Sequence, residues 1–325
     1  MSARETNQTG GVPLGAGYLD RDSAIRTQPA ALDAAWASEA ARMLELRAGQ
    51  IPLRRESADV SHLVLGSTIG DRPEEVVFIG RMEGAAVFAR ELPAAEAAAD
   101  QARPTDPDVE WAHPFARGTE LPAAEREIVT IAAALLNWHR TAGFSPQDGT
   151  PTTIADGGWS RRDANGAELF PRMDPAVIVI VEHDNKLLLG SNALWESGRF
   201  SLLAGYIDAG ETAEHAVERE MREEAGARVT DITYVASQPW PFPRSLMLGF
   251  RAKLAADQSP ADLVADPAEI SELRWFTRDE LRHPPVGVKL PGELSIAGWL
   301  VQLWLNEGDE ADEVDECNAS NEGNE

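Results

Sequence analysis

Residues 218–226 read EREMREEAG, and no other run constrains this chain as strongly. Six of the nine side chains are ionised, four of them carboxylates. Glu220, Glu223 and Glu224 stand three and four positions apart, so a helix puts them on one face within a single turn. Like charges at that spacing repel, and the C-terminal end of a helix adds partial negative charge of its own. The arrangement implies a positive partner that the sequence does not contain.

The helix has legible ends. Thr212 is a candidate N-cap, Glu214 falls in the first turn and Gly226 follows the last turn as a C-cap. Upstream, AVIVIV and KLLLG flank the turn EHDN as a hairpin, and RFSLLAGYI reads as a third strand. Downstream, DITYVAS, SLMLGFRAKL and ISELRWF read as strands and LSIAGWLVQLWL as a closing amphipathic helix. The pattern after Pro175 is that of a compact α/β domain.

The earlier half reads differently. LDAAWASEAARMLELRAG has helical periodicity, while SHLVLGS, EEVVFIGR and GAAVFARE read as strands. No catalytic constellation falls there. A long amphipathic helix, PAAEREIVTIAAALLNWHRTAG, leads into a connector rich in glycine and proline. With 325 residues the chain has room for two cores, and no internal repeat is visible.

Charge and apolar content narrow the partners. Of the formal charge of −25, nine acidic residues lie from Asn306 onward with no basic ones, which leaves about −16 for the rest. That tail and the first dozen residues are expected to be disordered. An acidic body disfavours duplex nucleic acid as the main partner. The longest apolar runs fall far short of the roughly 20 residues that cross a bilayer, and the N-terminus shows no secretory signal, so no membrane partner and a cytoplasmic location are expected. The single cysteine, Cys317, excludes an internal disulfide and a cysteine-rich zinc cage.

Read from 205 to 227, GYIDAGETAEHAVEREMREEAGA carries Gly205, Glu211, Arg219, Glu220, Glu223, Glu224 and Gly226 at the intervals of the Nudix box, and it resembles that box at every fixed glycine, arginine and glutamate. The small Ala227 replaces a bulky aliphatic residue at the final position. The chemistry accounts for the spacing. Hydrolysis of a pyrophosphate brings water against an anionic phosphorus, and hard divalent cations held by oxygen ligands offset the charge. The resemblance implies two or more magnesium or manganese ions held by Glu220 and Glu224, with Glu223 assisting and Ala204 offering a backbone carbonyl. Arg219 is expected to face away and brace the loop through Glu211.

A second motif follows the box, SQPWPFPRS at 237–245. Prolines at 239, 241 and 243 fix alternate φ angles, which predicts an extended segment presenting Trp240 and Phe242, with Gln238 and Ser245 as polar ends. The stretch resembles the SQPWPFPxS signature of NADH pyrophosphatases. That family implies cleavage of NADH to AMP and reduced nicotinamide mononucleotide, and some members remove NAD caps from RNA. The substrate set it implies is Gln238, Pro239, Trp240, Pro241, Phe242, Pro243, Arg244 and Ser245, with the base-stacking aromatics Phe170 and Tyr206 and a main-chain contact at Ala297. Glu269 matches a downstream glutamate that completes the metal site, with Glu272 as its rival. Members commonly form homodimers, on which the residues themselves are silent.

Many relatives carry two CxxC zinc knuckles in the connector. Here Ser145 and Asp148 stand at the first, and the second reads RRDANG. Thiolates are absent, so no structural zinc is expected, even with His139, Asp148 and Asp163 at hand.

The fold expected is α/β: a Nudix α/β/α sandwich, a mixed sheet between helices, preceded by a smaller mixed α+β domain and a degenerate zinc-ribbon-like connector. The expected divisions are a disordered 1–12, an N-terminal α+β domain at 13–120, helix and connector at 121–170, the Nudix domain at 171–305 and an acidic tail at 306–325. The expected activity is metal-dependent hydrolysis of the NADH diphosphate, extending to NAD or NADPH, with Glu220 and Glu269 as alternative general bases. ADP-ribose, NAD-capped RNA supported by Arg161, Arg162 and Arg172, and a non-enzymatic nucleotide-binding regulator stand as alternatives.

Overall fold

A computed structural model of the chain describes residues 11–15, 17–93, 106 and 108–308. The chain divides into two units: the first comprises Leu14–Met173 with Pro239–Ser245, and the second is built on Asp174–Gln238 and the chain from Leu246 onward.

The first unit holds helix Pro29–Trp36 and two larger sheets. One orders β4 (Gly66–Ser67), β1 (Arg42–Leu46), β6 (Ala85–Glu91) and β5 (Val77–Met82); the other orders β3 (Ser61–Leu63), β2 (Ile51–Arg55) and β7 (Val109–Ala112). Helix Ala123–Thr141 buries Ile128, Ile131 and Leu135 in a core with Leu44, Val77 and Val87.

The helical periodicity read across residues 32–49 stops at Trp36. Its second half is β1, parallel to β6 with Arg42 opposite Val87 and Leu46 opposite Glu91. Met43, Leu44 and Leu46 are all buried there. Pairing and burial in the sheet outweigh the modest helix propensity of Met, Leu and Glu.

The connector forms an antiparallel sheet of β8 (Thr153–Ala155), β9 (Ser160–Arg162) and β10 (Glu168–Leu169). Two side-chain hydrogen bonds join the knuckle positions. Ser145 Oγ donates to Asp163 Oδ2 at 3.2 Å, and Asn165 Nδ2 donates to Asp148 Oδ2 at 2.7 Å. The other oxygen of Asp163 accepts from the amides of Asn165 and Ala167, both at 2.9 Å. Gly158 seats this sheet on β5: its φ is +91°, and an added Cβ would lie 2.4 Å from Val77 Cγ1. Beside it, Trp159 Nε1 donates to Phe78 O at 2.7 Å.

The second unit is a three-layer sandwich. Its sheet orders β14 (Val229–Trp240), β15 (Ser245–Leu254), β11 (Asp174–His183), β12 (Lys186–Asn192) and β16 (Ile270–Thr277), with β13 (Leu203–Tyr206) on β11. The β11–β12 turn closes on Asp184 and Asn185, whose φ angles of 45° and 56° suit a two-residue hairpin. Alternation along β11 sends Val177, Val179 and Val181 toward Val217 and Met221, and Ile178 and Ile180 toward Leu300 and Trp304. Each such side chain contributes roughly 1.5–3 kcal/mol through burial. The closing helix spans 296–308, three residues into the segment expected to be a disordered tail. The rest of that tail and residues 1–10 lie outside the described residues. No helix among the described residues is long and apolar enough to cross a membrane.

Candidate active site

The site is built on helix Ala213–Ala225. Thr212 caps its start by accepting from the His215 amide at 3.3 Å, and Gly226 ends it at φ 62°. The apolar face carrying Ala216, Val217 and Met221 holds the helix on the sheet, which fixes the direction of the glutamates.

Glu220 and Glu224 are buried, an uncommon place for two carboxylates. Glu224 accepts from the Ala204 amide, and its Oε2 is buried without a hydrogen-bond partner. Burial, followed by the charges of Glu220 and Glu269, pushes the Glu224 carboxyl up to about 8. Burial also raises Glu220, against the lowering effect of Arg219. Gly205 makes room for this packing: an added Cβ would lie 1.9 Å from Glu220 Cδ.

Glu269 arrives on a loop fastened to the end of the same helix. The Val264 and Asp266 amides donate to the carbonyls of Ala225 and Glu224 at 3.0 and 3.1 Å. Asp266 O then accepts from the Glu269 and Ile270 amides, and Glu269 O accepts from the Ala193 amide at 2.7 Å. Glu269 acts electrostatically on both Glu220 and Glu224. Glu272 lies on β16 opposite Ser191 and has no part in either shift.

Arg219 departs from the expectation that it faces away. Its Nε and Nη2 do brace Glu211 at 2.9 and 2.8 Å, and Nη2 also reaches Tyr206 O at 2.8 Å. Its Nη1 turns toward the carboxylate face, donating to Glu220 Oε1 at 2.7 Å and Glu223 Oε2 at 3.0 Å. Glu223 is one turn along on the same face, and this guanidinium spans both directions. The arginine bonds push Glu211 down to about 2 and raise Arg219 itself.

A metal fits the donor set on three counts: oxygen ligands on one helix face, an unpartnered buried Glu224 oxygen, and a glycine cradle under Glu220. Among the described residues, no three acidic, histidine or cysteine side chains are disposed to hold an ion as they stand. Two of the glutamates are instead held by Arg219.

Residues 172–294 match the NUDIX domain family, and residues 40–138 match the NADH pyrophosphatase-like rudimentary NUDIX domain. A Mycobacterium bovis protein named NAD-capped RNA hydrolase NudC is 39% identical over 301 residues, covering 88% of this chain and 92% of its own. The Mycobacterium tuberculosis protein of that name is 38% identical with the same coverage. Human NAD-capped RNA hydrolase NUDT12 is 37% identical over 202 residues, 57% of this chain and 43% of its own. The chain belongs to the Nudix NADH pyrophosphatase family. Nudix hydrolases as a class use divalent metal cations.

The family's signature segment is divided between the two units. Gln238, in the second unit, is fully buried, donates from Nε2 to Leu294 O at 3.1 Å and leaves Oε1 without a partner. Leu294 lies just ahead of the helix that carries the buried Ala297. Pro239–Ser245 belongs to the first unit. The segment stays extended only as far as Trp240, then turns through Pro241 to Arg244 into β15. Hairpin reversal takes precedence there over the proline preference for extended backbone.

Trp240 and Phe242 meet edge-on at 5.4 Å between ring centroids, and they pack on Phe115 and His113 at 5.3 and 5.2 Å. Asn137 Nδ2 donates to Pro241 O at 2.8 Å. Phe170, Pro243 and Arg244 share a cleft of about 410 Å³ with Trp138, Phe144 and Arg172. Phe170 is exposed in the first unit and Tyr206 in the second. Sequence reasoning missed Asp266, for which the run DPAE was the available signal, and Phe115 and His113, for which there was none.

Proposed function

We propose that this Nudix hydrolase cleaves the diphosphate of an NAD-type dinucleotide, with NADH yielding AMP and reduced nicotinamide mononucleotide. The observation that carries the reading is the buried Glu224 carboxylate beside Glu220 and Glu269 with one oxygen unpartnered. Carboxyl groups gathered out of water must be neutralised by protons or by a cation, and a bound cation would displace the proton that burial holds on Glu224. Glu220, Glu224 and Glu269, assisted by Glu223 and the Ala204 carbonyl, would hold magnesium or manganese. When bound, such ions offset charge on the diphosphate and acidify the attacking water.

The protein's own groups perform the remaining work. Arg219 and Glu211 fix the loop before the helix and hold Glu220 in register. Water adds to one phosphorus as the bridging P–O bond breaks, and Glu220 or Glu269 takes the proton. The proline-rich loop and the Phe170 cleft give aromatic faces and arginines suited to nucleotide rings and phosphates. A second reading, removal of an NAD cap from RNA, is favoured by the names of the relatives. The same diphosphate would be cut.

The test is cleavage of NADH, ADP-ribose and an NAD-capped RNA by the full chain with magnesium or manganese, products read by mass spectrometry. AMP from NADH formed faster than ADP-ribose is split supports the first reading. Faster turnover of the capped RNA favours the second. No cleavage of any of the three by folded protein overturns both and leaves a nucleotide-binding regulator. The reading extends to a connector without zinc, supported by the Ser145–Asp163 and Asn165–Asp148 bonds at the knuckle positions. Stoichiometric zinc in purified protein would overturn that part.

A further inference from the structure

The first unit holds a second cleft, of about 730 Å³, which shares no lining residue with the cleft at Phe170. It runs between the turn after Ser23–Arg26, the start of β5 and the connector sheet. Its size is within the range of small-ligand sites, and Leu32, Val76 and Ile154 give it an apolar wall. Four arginines line it in a chain whose net charge is −25.

Two of those arginines are spoken for. Arg72 pairs with Asp33 at 2.9 Å, and Arg162 pairs with Glu168 at 3.0 Å and Asp156 at 3.5 Å. The other two, among the described residues, have no carboxylate within ion-pair distance. Arg161 is only 8% exposed, and each of its hydrogen bonds goes to a neutral acceptor. Its Nε donates to Thr152 Oγ1 at 2.7 Å, its Nη2 to Thr152 O at 2.8 Å and its Nη1 to His139 Nδ1 at 3.1 Å. His139 is the acceptor in that last bond because its Nε2 donates to Gly158 O at 2.8 Å. Two of the five guanidinium hydrogens remain.

Arg26 is prepared in a related way: the charge of Asp22 reaches it from beyond ion-pair distance, but that carboxylate is paired with Arg81 at 2.7 Å. Its guanidinium stacks on the Trp159 ring at 3.6 Å from the centroid, Nη2 donates to Arg21 O at 2.9 Å, and Nε is buried without a partner. Glu74 and Glu75 are exposed, and Asp156 is engaged by Ser160 and Arg162. A scaffold role for Arg161 would use its hydrogen bonds but not its charge. A buried guanidinium that meets only neutral groups is left with its desolvation cost uncompensated until an anion arrives. Planar guanidinium forks suit phosphate oxygens above other anions.

We propose that this cleft binds a phosphate-bearing ligand of nucleotide size, with Arg26 and Arg161 taking the phosphate. The phosphate belongs either to a free mononucleotide or to the backbone of an RNA chain. The proposal does not depend on the reaction assigned to Glu224.

The test is calorimetric titration of the full-length protein in EDTA with AMP, and separately with a single-stranded RNA hexamer. Wild type is compared with Arg26→Gln and Arg161→Gln, and NADH cleavage is assayed in parallel. Arg26 is partly exposed, so its variant keeps the experiment decisive even if Arg161→Gln fails to fold. The expected result is binding weakened about tenfold or more in Arg26→Gln, the scale of a lost charge-assisted pair, with NADH cleavage unchanged. Loss of an AMP component identifies a free nucleotide as the source, and loss confined to the hexamer identifies RNA. Failure of wild type to bind either probe, or binding in Arg26→Gln within threefold of wild type, overturns the proposal.

Discussion

The place where Gly205 would carry a Cβ is 1.9 Å from the carboxyl carbon of Glu220 and 2.1 Å from its Oε1. No side chain can be added at Gly205 without moving that carboxylate. Gly205→Ala is expected to lower kcat for NADH cleavage about 100-fold, the scale of a misplaced reacting group, while the melting temperature moves by only a few degrees. Steady-state rates at saturating manganese, with circular dichroism melts alongside, give both numbers. Retention of most of the activity would remove Glu220 from the site.

Glu224 carries a pH signature. Its carboxyl is raised in the folded chain from 4.5 to about 8, so the fold binds this proton more tightly than the unfolded chain does. The stability this contributes is fully present below pH 4.5 and is lost as pH rises through about 8. Metal-free wild type is therefore expected to weaken over that window, and Glu224→Gln to weaken less, by about 1–3 kcal/mol. Urea melts in EDTA at the two ends of the window measure this. The same variant is expected to lose activity about 1,000-fold when metal is supplied, which a stability effect alone does not produce.

The two glutamates near β16 separate cleanly. Glu269→Gln is expected to cost about 100-fold in kcat and to raise the manganese concentration needed for half activity, whereas Glu272→Gln stays within about twofold. Manganese titrations of the two variants, followed by NADH cleavage, distinguish them. Equal effects would contradict the placement of Glu269 beside Glu220 and Glu224.

His139 gives an acid-side prediction in the first unit. Burial, with a smaller contribution from Arg161, lowers it from 6.5 to about 4, so the unfolded chain binds more protons between those values. Stability on this account is present above pH 6.5 and is lost as pH falls through about 4. His139→Gln is expected to flatten that segment of the stability profile by on the order of 2 kcal/mol. An unchanged slope would mean that the ring is solvated.

The helix of the site was legible in the sequence because local rules govern it. Thr212, the glutamates and Gly226 act within one element, and each occupies the place its spacing implies. The strand at Met43, Leu44 and Leu46 was not legible, because a partner more than forty residues away in β6 decides it. The inward reach of Arg219 was equally hidden: its guanidinium has several hydrogen-bonding directions, and spacing names the neighbours without apportioning them. Trp240 and Phe242 could be singled out from the sequence, but the rings they lean on, Phe115 and His113, lie over a hundred residues earlier in unremarkable sequence.

The clasp of Ser145, Asp163, Asp148 and Asn165 uses a hydroxyl, two carboxylates and a carboxamide, in a chain whose one cysteine is at 317. A thiolate knuckle opens when peroxide converts its sulfurs to sulfenic or higher acids. Hydroxyl, carboxylate and amide groups have no counterpart to that chemistry. If these bonds are what hold the connector, its joint is expected to outlast peroxide treatment that opens a cysteine ribbon, and the arginine-lined cleft beside it to keep its wall.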